Sequence, residues 1–136
     1  MFSTLDVSTS GLLAQRARLN AISSNIANIS TTRNERGEVE PYQPRFVTFE
    51  TDTAVGTPGG GAGVKIGSVH YSNEPPKMKY EPGHPDADAQ GFVQYPAVDM
   101  TTEFVDALEA TRSYEANIGV IDITKNMTEQ TLRIIA

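Results

Sequence analysis

The chain contains no cysteine, which excludes disulfide staples and thiolate metal sites and leaves the redox compartment open. It also lacks any apolar run longer than a few residues, far short of the ~20 needed to span a bilayer, so an integral membrane protein is not expected. The opening "MFSTLDVSTS" has neither a basic n-region nor an apolar h-region, which argues against a conventional Sec substrate. Apolar residues fill only 38% of the 136 positions. That is below the usual share of about 45–50%, so a large buried core is not expected in a chain with room for one ordinary domain. Clustered basic charge is missing too, and a net charge of −6 argues against nucleic acid as the main partner.

What charge there is lies unevenly. Residues 1–33 hold Asp6 against Arg16, Arg18 and Arg33, whereas residues 98–136 hold seven acids against Arg112, Lys125 and Arg133. In the first of these segments Leu5, Leu12, Leu19 and Ile26 recur at intervals of seven, with Ile22 and Ile29 three residues after the last two. The spacing predicts one side of a helix of about 25 residues, roughly 38 Å long. Ser8 and Gln15 interrupt the seam. Gly11 costs about 1 kcal/mol relative to Ala, so tertiary contacts must stabilise this helix, and the glycine marks a bend or a close approach. From Leu19 to Thr32 no residue is charged. Solvated helices keep Lys, Glu or Arg outside, so a neutral Asn/Ser/Ala face predicts burial against other helices, with Asn25 and Asn28 packed inside an assembly.

A second long pattern follows "YPAVD", with Asp99 or Thr101 as N-cap. Phe104, Leu108, Thr111 and Tyr114 start a stripe that Ile118, Ile121, Thr128, Leu132 and Ile135 continue, broken only by Lys125. It predicts a helix of about 35 residues, roughly 50 Å. In the middle, "ETDTAVGTPGGGAG" reads as a tract without regular structure, "VKIGSVHY" and "GFVQYPAV" as short strands, and "EPPKMKYEPGHP" as turns. The expected fold is therefore mainly α with a small β segment. Residues 1–33 and 98–136 form long terminal helices packed as an antiparallel, coiled-coil-like pair, and 34–97 form a loop-rich β region too small to bury them.

Candidate chemistry is sparse. "TPGGGAGVK" lacks the Gly-Lys-Ser/Thr of a phosphate loop and the spacing of a dinucleotide fingerprint, so a flexible or assembly-ordered loop is the better reading. "DADAQG" matches the first half of a calcium loop, but Ala97 stands where a bidentate Glu is required, which makes Asp86 and Asp88 turn formers after Pro85. His70 and His84 are the only histidines, and His84 with Asp86 and Asp88 sketches at most a weak metal site. No nucleophile elbow or base-paired serine is present, so no catalytic, cofactor or metal residue is assigned. In "ATRSYEANIGV", Tyr114 and Asn117 sit on or beside the apolar stripe, where aromatic and amide groups suit a contact that excludes water. A monomeric coiled-coil binding module is the alternative, but it would keep charged flanking positions that the Leu19–Thr32 run lacks.

"TSGLLAQRARLNAISSNIANISTT" closely resembles the N-terminal helix shared by flagellar axial proteins, and "RSYEANIGVIDITKNMTEQTLRI" resembles their C-terminal counterpart. "EPPKMKYEPGHPDADAQGFVQYPAVDM" is similar to the proximal-rod branch of that family. Where many members read Thr-x-Gly-Tyr after the first helix, this chain reads "ISTTRNERGEVEPYQ", which implies a local difference in the exit. The resemblance implies a non-enzymatic subunit of the flagellar basal-body rod that transmits torque across the periplasm. It also implies export by the flagellar type III apparatus without N-terminal cleavage, and monomers with disordered ends. Implied partners are copies of itself, other rod subunits including the distal rod, and the inner-membrane ring or its adaptor. The expected contact residues are Leu5, Leu12, Leu19, Ile22, Asn25, Ile26 and Asn28 at one end. Those at the other are Phe104, Leu108, Tyr114, Asn117, Ile118, Ile121 and Leu132.

Overall fold

Both periodic segments fold as helices. In the computed structural model, which describes residues 2–135, α1 spans Phe2–Ala27 and α2 spans Met100–Ile135; the side chain of Ile135, last in the expected stripe, lies outside the described residues. Asp99 is the N-cap of α2, its Oδ1 accepting the Thr102 amide at 3.0 Å. Asn28 closes α1, its Nδ2 donating to the Ser24 carbonyl at 2.9 Å while its Oδ1 accepts the Thr31 hydroxyl at 3.1 Å.

The two helices are antiparallel and hold one register. Gly11 faces Asn117, and Asn25 faces Glu103. Carried along, this register puts Phe2 opposite Asn126, so the last turns of α2 run on for about 14 Å past the start of α1. The opposite charges of the two ends do meet: Arg18 Nη2 lies 3.2 Å from Asp106 and 3.3 Å from Glu109. These pairs are partly exposed and contribute at most about 1 kcal/mol each.

Small residues, with Ile22 among them, are the most buried where α1 and α2 pack. Ala14, Ala21 and Ile22 of α1 and Ala110 of α2 are buried. A Cβ on Gly11 would come within 3.0–3.2 Å of the Asn117 side chain, so the glycine marks a close approach. The predicted stripe of α2 is split by this geometry. Tyr114 and Ile121 are half-buried toward α1, whereas Phe104, Leu108 and Ile118 are exposed.

Between the helices lie two separate two-stranded antiparallel sheets. The first pairs β1 (Arg45–Gly56) with β2 (Ala62–Tyr71), the second β3 (Lys77–Tyr80) with β4 (Phe92–Tyr95). The strands expected at "VKIGSVHY" and "GFVQYPAV" are β2 and β4. Two sequence expectations are corrected here. Glu50–Gly56, read as the start of an irregular tract, lies in β1, and "KMKY", read among turns, is β3.

The glycine cluster is a hairpin turn rather than an unstructured loop. Thr57 N donates to Gly61 O at 2.8 Å, Gly60 N to Thr57 O at 3.0 Å, and Gly60 has φ +85°. The β1–β2 hairpin lies along α1, on a side adjoining the one that faces α2. Ser10 Oγ accepts the Val64 amide at 3.0 Å near one end of α1, and Asn25 holds Arg45 near the other. A second small core under β3–β4 centres on Val93 and Val98, both buried.

Candidate assembly interface

The outer face of α2 presents the largest apolar groups, with Phe104 54%, Leu108 61% and Ile118 40% exposed. Val105, Ile123 and Met127 lie exposed beside them. Leu132 stands on the α1-facing side but is 61% exposed, because α1 has already ended at that height. Asn117 is half-buried, its Nδ2 donating to Ser113 O at 2.9 Å. On α1, Leu5, Leu12, Leu19, Ile26 and Asn28 are half-buried and Ile22 is buried. Leu13, outside the seven-residue spacing and therefore missed, is 60% exposed. Among the described residues no helix is long and apolar enough to cross a membrane.

Asn25 differs from its neighbours because its amide is fully engaged inside the chain. It is 1% exposed. Its Nδ2 donates to Arg45 O at 3.0 Å and to Glu103 Oε1 at 2.9 Å, and its Oδ1 accepts Arg45 N at 3.0 Å and the Tyr42 hydroxyl at 3.1 Å. One amide thus joins α1, α2, the start of β1 and the linker before it. Nothing in the sequence spacing pointed to Glu103, Tyr42 or Arg45 as its partners.

Burial pushes the Glu103 carboxyl above its usual range, more than the Asn25 hydrogen bond lowers it. A carboxyl with a raised folded value adds stability below its ordinary value near 4.5 and loses it as pH rises through the folded value. Thermal melts from pH 4 to pH 8 will show this decline, and Glu103→Gln will flatten it. An identical slope in the variant would rule Glu103 out as its source.

The suspected metal residues have other roles. Asp88 Oδ1 accepts the amides of Gln90 and Phe92 at 2.8 and 2.9 Å, forming a turn as expected. His84 Nδ1 accepts the Asp86 amide at 3.1 Å. Asp86 is buried and engaged by Thr32 and Arg33. Among the described residues no three His, Cys, Asp or Glu side chains are grouped to hold a metal ion.

Both terminal segments match family models. The family described as "Flagella basal body rod protein" matches residues 5–33, and "Flagellar basal body rod FlgEFG protein C-terminal" matches residues 89–134. The chain is 42% identical over 134 residues to "Flagellar basal-body rod protein FlgC" of Salmonella typhimurium, covering 98% of this chain and 97% of the relative. The chain belongs to the FlgC family of flagellar basal-body rod proteins. FlgC proteins of Borreliella burgdorferi and Bacillus subtilis are each 38% identical, covering 99% and 98% of this chain and 97% of each relative. As a FlgC-family member it is a structural subunit of the flagellar basal body and not an enzyme. A protein of this family assembles with other flagellar rod components.

Proposed function

We propose that the chain polymerises through its terminal helices into the proximal rod and there transmits torque. The exposed row Phe104, Leu108 and Ile118 carries this reading. A helix that leaves such side chains uncovered in the lone chain gains their burial only against neighbours. Leu5, Leu12, Leu19, Ile26 and Asn28 on α1, with Tyr114, Asn117, Ile121 and Leu132 on α2, complete the proposed contact set. Ile22 and Asn25 support it from within the chain.

In this reading 1–33 and 98–136 form the axial core and 34–97 the outer part, facing lateral neighbours. The partners are copies of the chain, other rod subunits, the inner-membrane ring or its adaptor, and the distal rod. The subunit reaches the periplasm through the flagellar type III apparatus, without a cleaved signal.

The test is a strain whose only rod subunit of this kind is a tagged version of the chain. Basal bodies purified from it will contain the tag in the rod fraction, with the N-terminus intact by mass spectrometry. Deleting the gene will leave no rod. Intact, motile basal bodies without the chain would refute the reading.

A further inference from the structure

Two covalent routes join the β region to the helix pair, the 28–44 segment after α1 and the short entry to α2 at 96–99. A third connection is non-covalent and centres on Asp86, in the loop between β3 and β4. The Asp86 side chain is 3% exposed, and its oxygens receive donors from residues more than fifty positions away. Thr32 Oγ1 donates to Oδ2 at 2.6 Å, Arg33 Nε donates to Oδ1 at 2.7 Å, and Arg33 Nη2 also pairs with Oδ1.

Both sides of this contact are held in shape beforehand. On the loop side, Asp88 makes its turn, Gly91 takes φ +85°, and the Tyr95 hydroxyl donates to Glu81 at 2.8 Å. Tyr80 and Phe92 meet edge to face at 5.3 Å across the β3–β4 pair. On the helix side, Arg33 Nη1 donates to Gly37 O at 3.0 Å, and Arg33 bridges to Val39 in a short antiparallel pairing. A charged, doubly directed hydrogen bond to a buried carboxylate is among the stronger polar contacts a protein makes.

We propose that the 81–91 loop is a clasp that locks the exit of α1 to the second sheet, with Asp86 as its tongue and Thr32–Arg33 as its catch. The clasp holds the 34–44 segment at a fixed geometry and carries force from the β region into the end of α1 without stretching that segment. The force-bearing consequence rests on the rod reading above. The clasp itself is tested on the purified chain and does not depend on assembly.

Hydrogen exchange on the full chain at neutral pH reads it directly. Asp86→Asn will speed exchange at least tenfold in amides 29–42 and 84–92 while leaving 10–25 of α1 and the β1–β2 hairpin unchanged. Arg33→Lys, which keeps the charge and loses the fork, will give a smaller increase in the same two windows and guards against a misfolded Asn variant. Acid supplies a second readout. The groups facing Asp86 are Arg33, Thr32, His84 with its Nδ1 4.0 Å away, and Tyr95 further out.

The Arg33 hydrogen bond first, then that of Thr32, holds the Asp86 carboxyl below the usual carboxylate range. Its stabilisation is therefore present above the ordinary aspartate value and lost as pH falls through the lowered folded value. The unsubstituted chain will show a local exchange step in that acid window, and Asp86→Asn will not. Unchanged protection in 29–42, protection lost only with the whole molecule, or an acid step that survives in Asp86→Asn would each overturn the clasp.

Discussion

Leu108→Asp will abolish swimming while leaving the lone chain folded. The side chain is 61% exposed, so the isolated molecule loses little apolar burial, and the remaining cost is the lower helix propensity of Asp, about 0.5 kcal/mol. In the proposed rod the same position would face a neighbour. A carboxylate buried there without a partner costs several kcal/mol per contact, and the cost repeats at every copy. Ile118→Asp will behave alike, at 40% exposure. Circular dichroism melts of the purified variants will fall within a few degrees of the unsubstituted chain, and soft-agar spreading will drop to that of a rod-less strain. Normal spreading at normal protein levels would remove the outer face of α2 from the interface.

Asn25→Ala will have the largest effect on the lone chain. It strands the Arg45 amide and carbonyl, the Tyr42 hydroxyl and the Glu103 carboxylate together, and water can reach only some of them. Each unsatisfied group costs about 1–3 kcal/mol, so a loss of about 3 kcal/mol and a melting point lower by roughly 10 °C are expected. Asn25→Asp keeps the two acceptor bonds but sets a second carboxylate against Glu103. It will be as destabilising at neutral pH and will recover as pH falls, because protonation removes the repulsion. A mild, pH-independent loss in both variants would show that the amide is not the joint between the helices and β1.

Much of this architecture was legible in the residues. Seven-residue spacing from Leu5 to Ile26 and the stepping from Phe104 to Leu132 specify both helices, Asp99 marks the start of the second, and alternation in "VKIGSVHY" marks β2. Gly11 was readable as a close approach because a glycine inside a helix needs a reason. The face by which α2 meets α1 was legible only in part, through Tyr114, Asn117 and Ile121, for a physical reason. Periodicity weighted by hydrophobicity selects the bulkiest stripe, whereas close helix packing selects small groups such as Ala110 and Gly11 and hydrogen-bonded polar ones such as Asn25 and Glu103.

β1 escaped notice because Phe46 points outward beside the inward Val47, the polar Asp52 takes a half-buried position, and the register shifts between Thr48 and Phe49. Asp86 was read as a turn former after Pro85, whereas its side chain is buried against Thr32 and Arg33. Its actual catch, Thr32–Arg33, is more than fifty residues away, a pairing that no local spacing encodes.

The unequal lengths of the two helices would shape how copies join in the proposed rod. The helices finish nearly level where α1 ends and α2 begins, but α2 runs about two and a half turns past the start of α1 at the other end. If copies were laid side by side and end over end in the proposed rod, this overhang would let an unbroken helix bridge each seam, as in brickwork. A twisting shaft built this way would have no level at which it could shear cleanly.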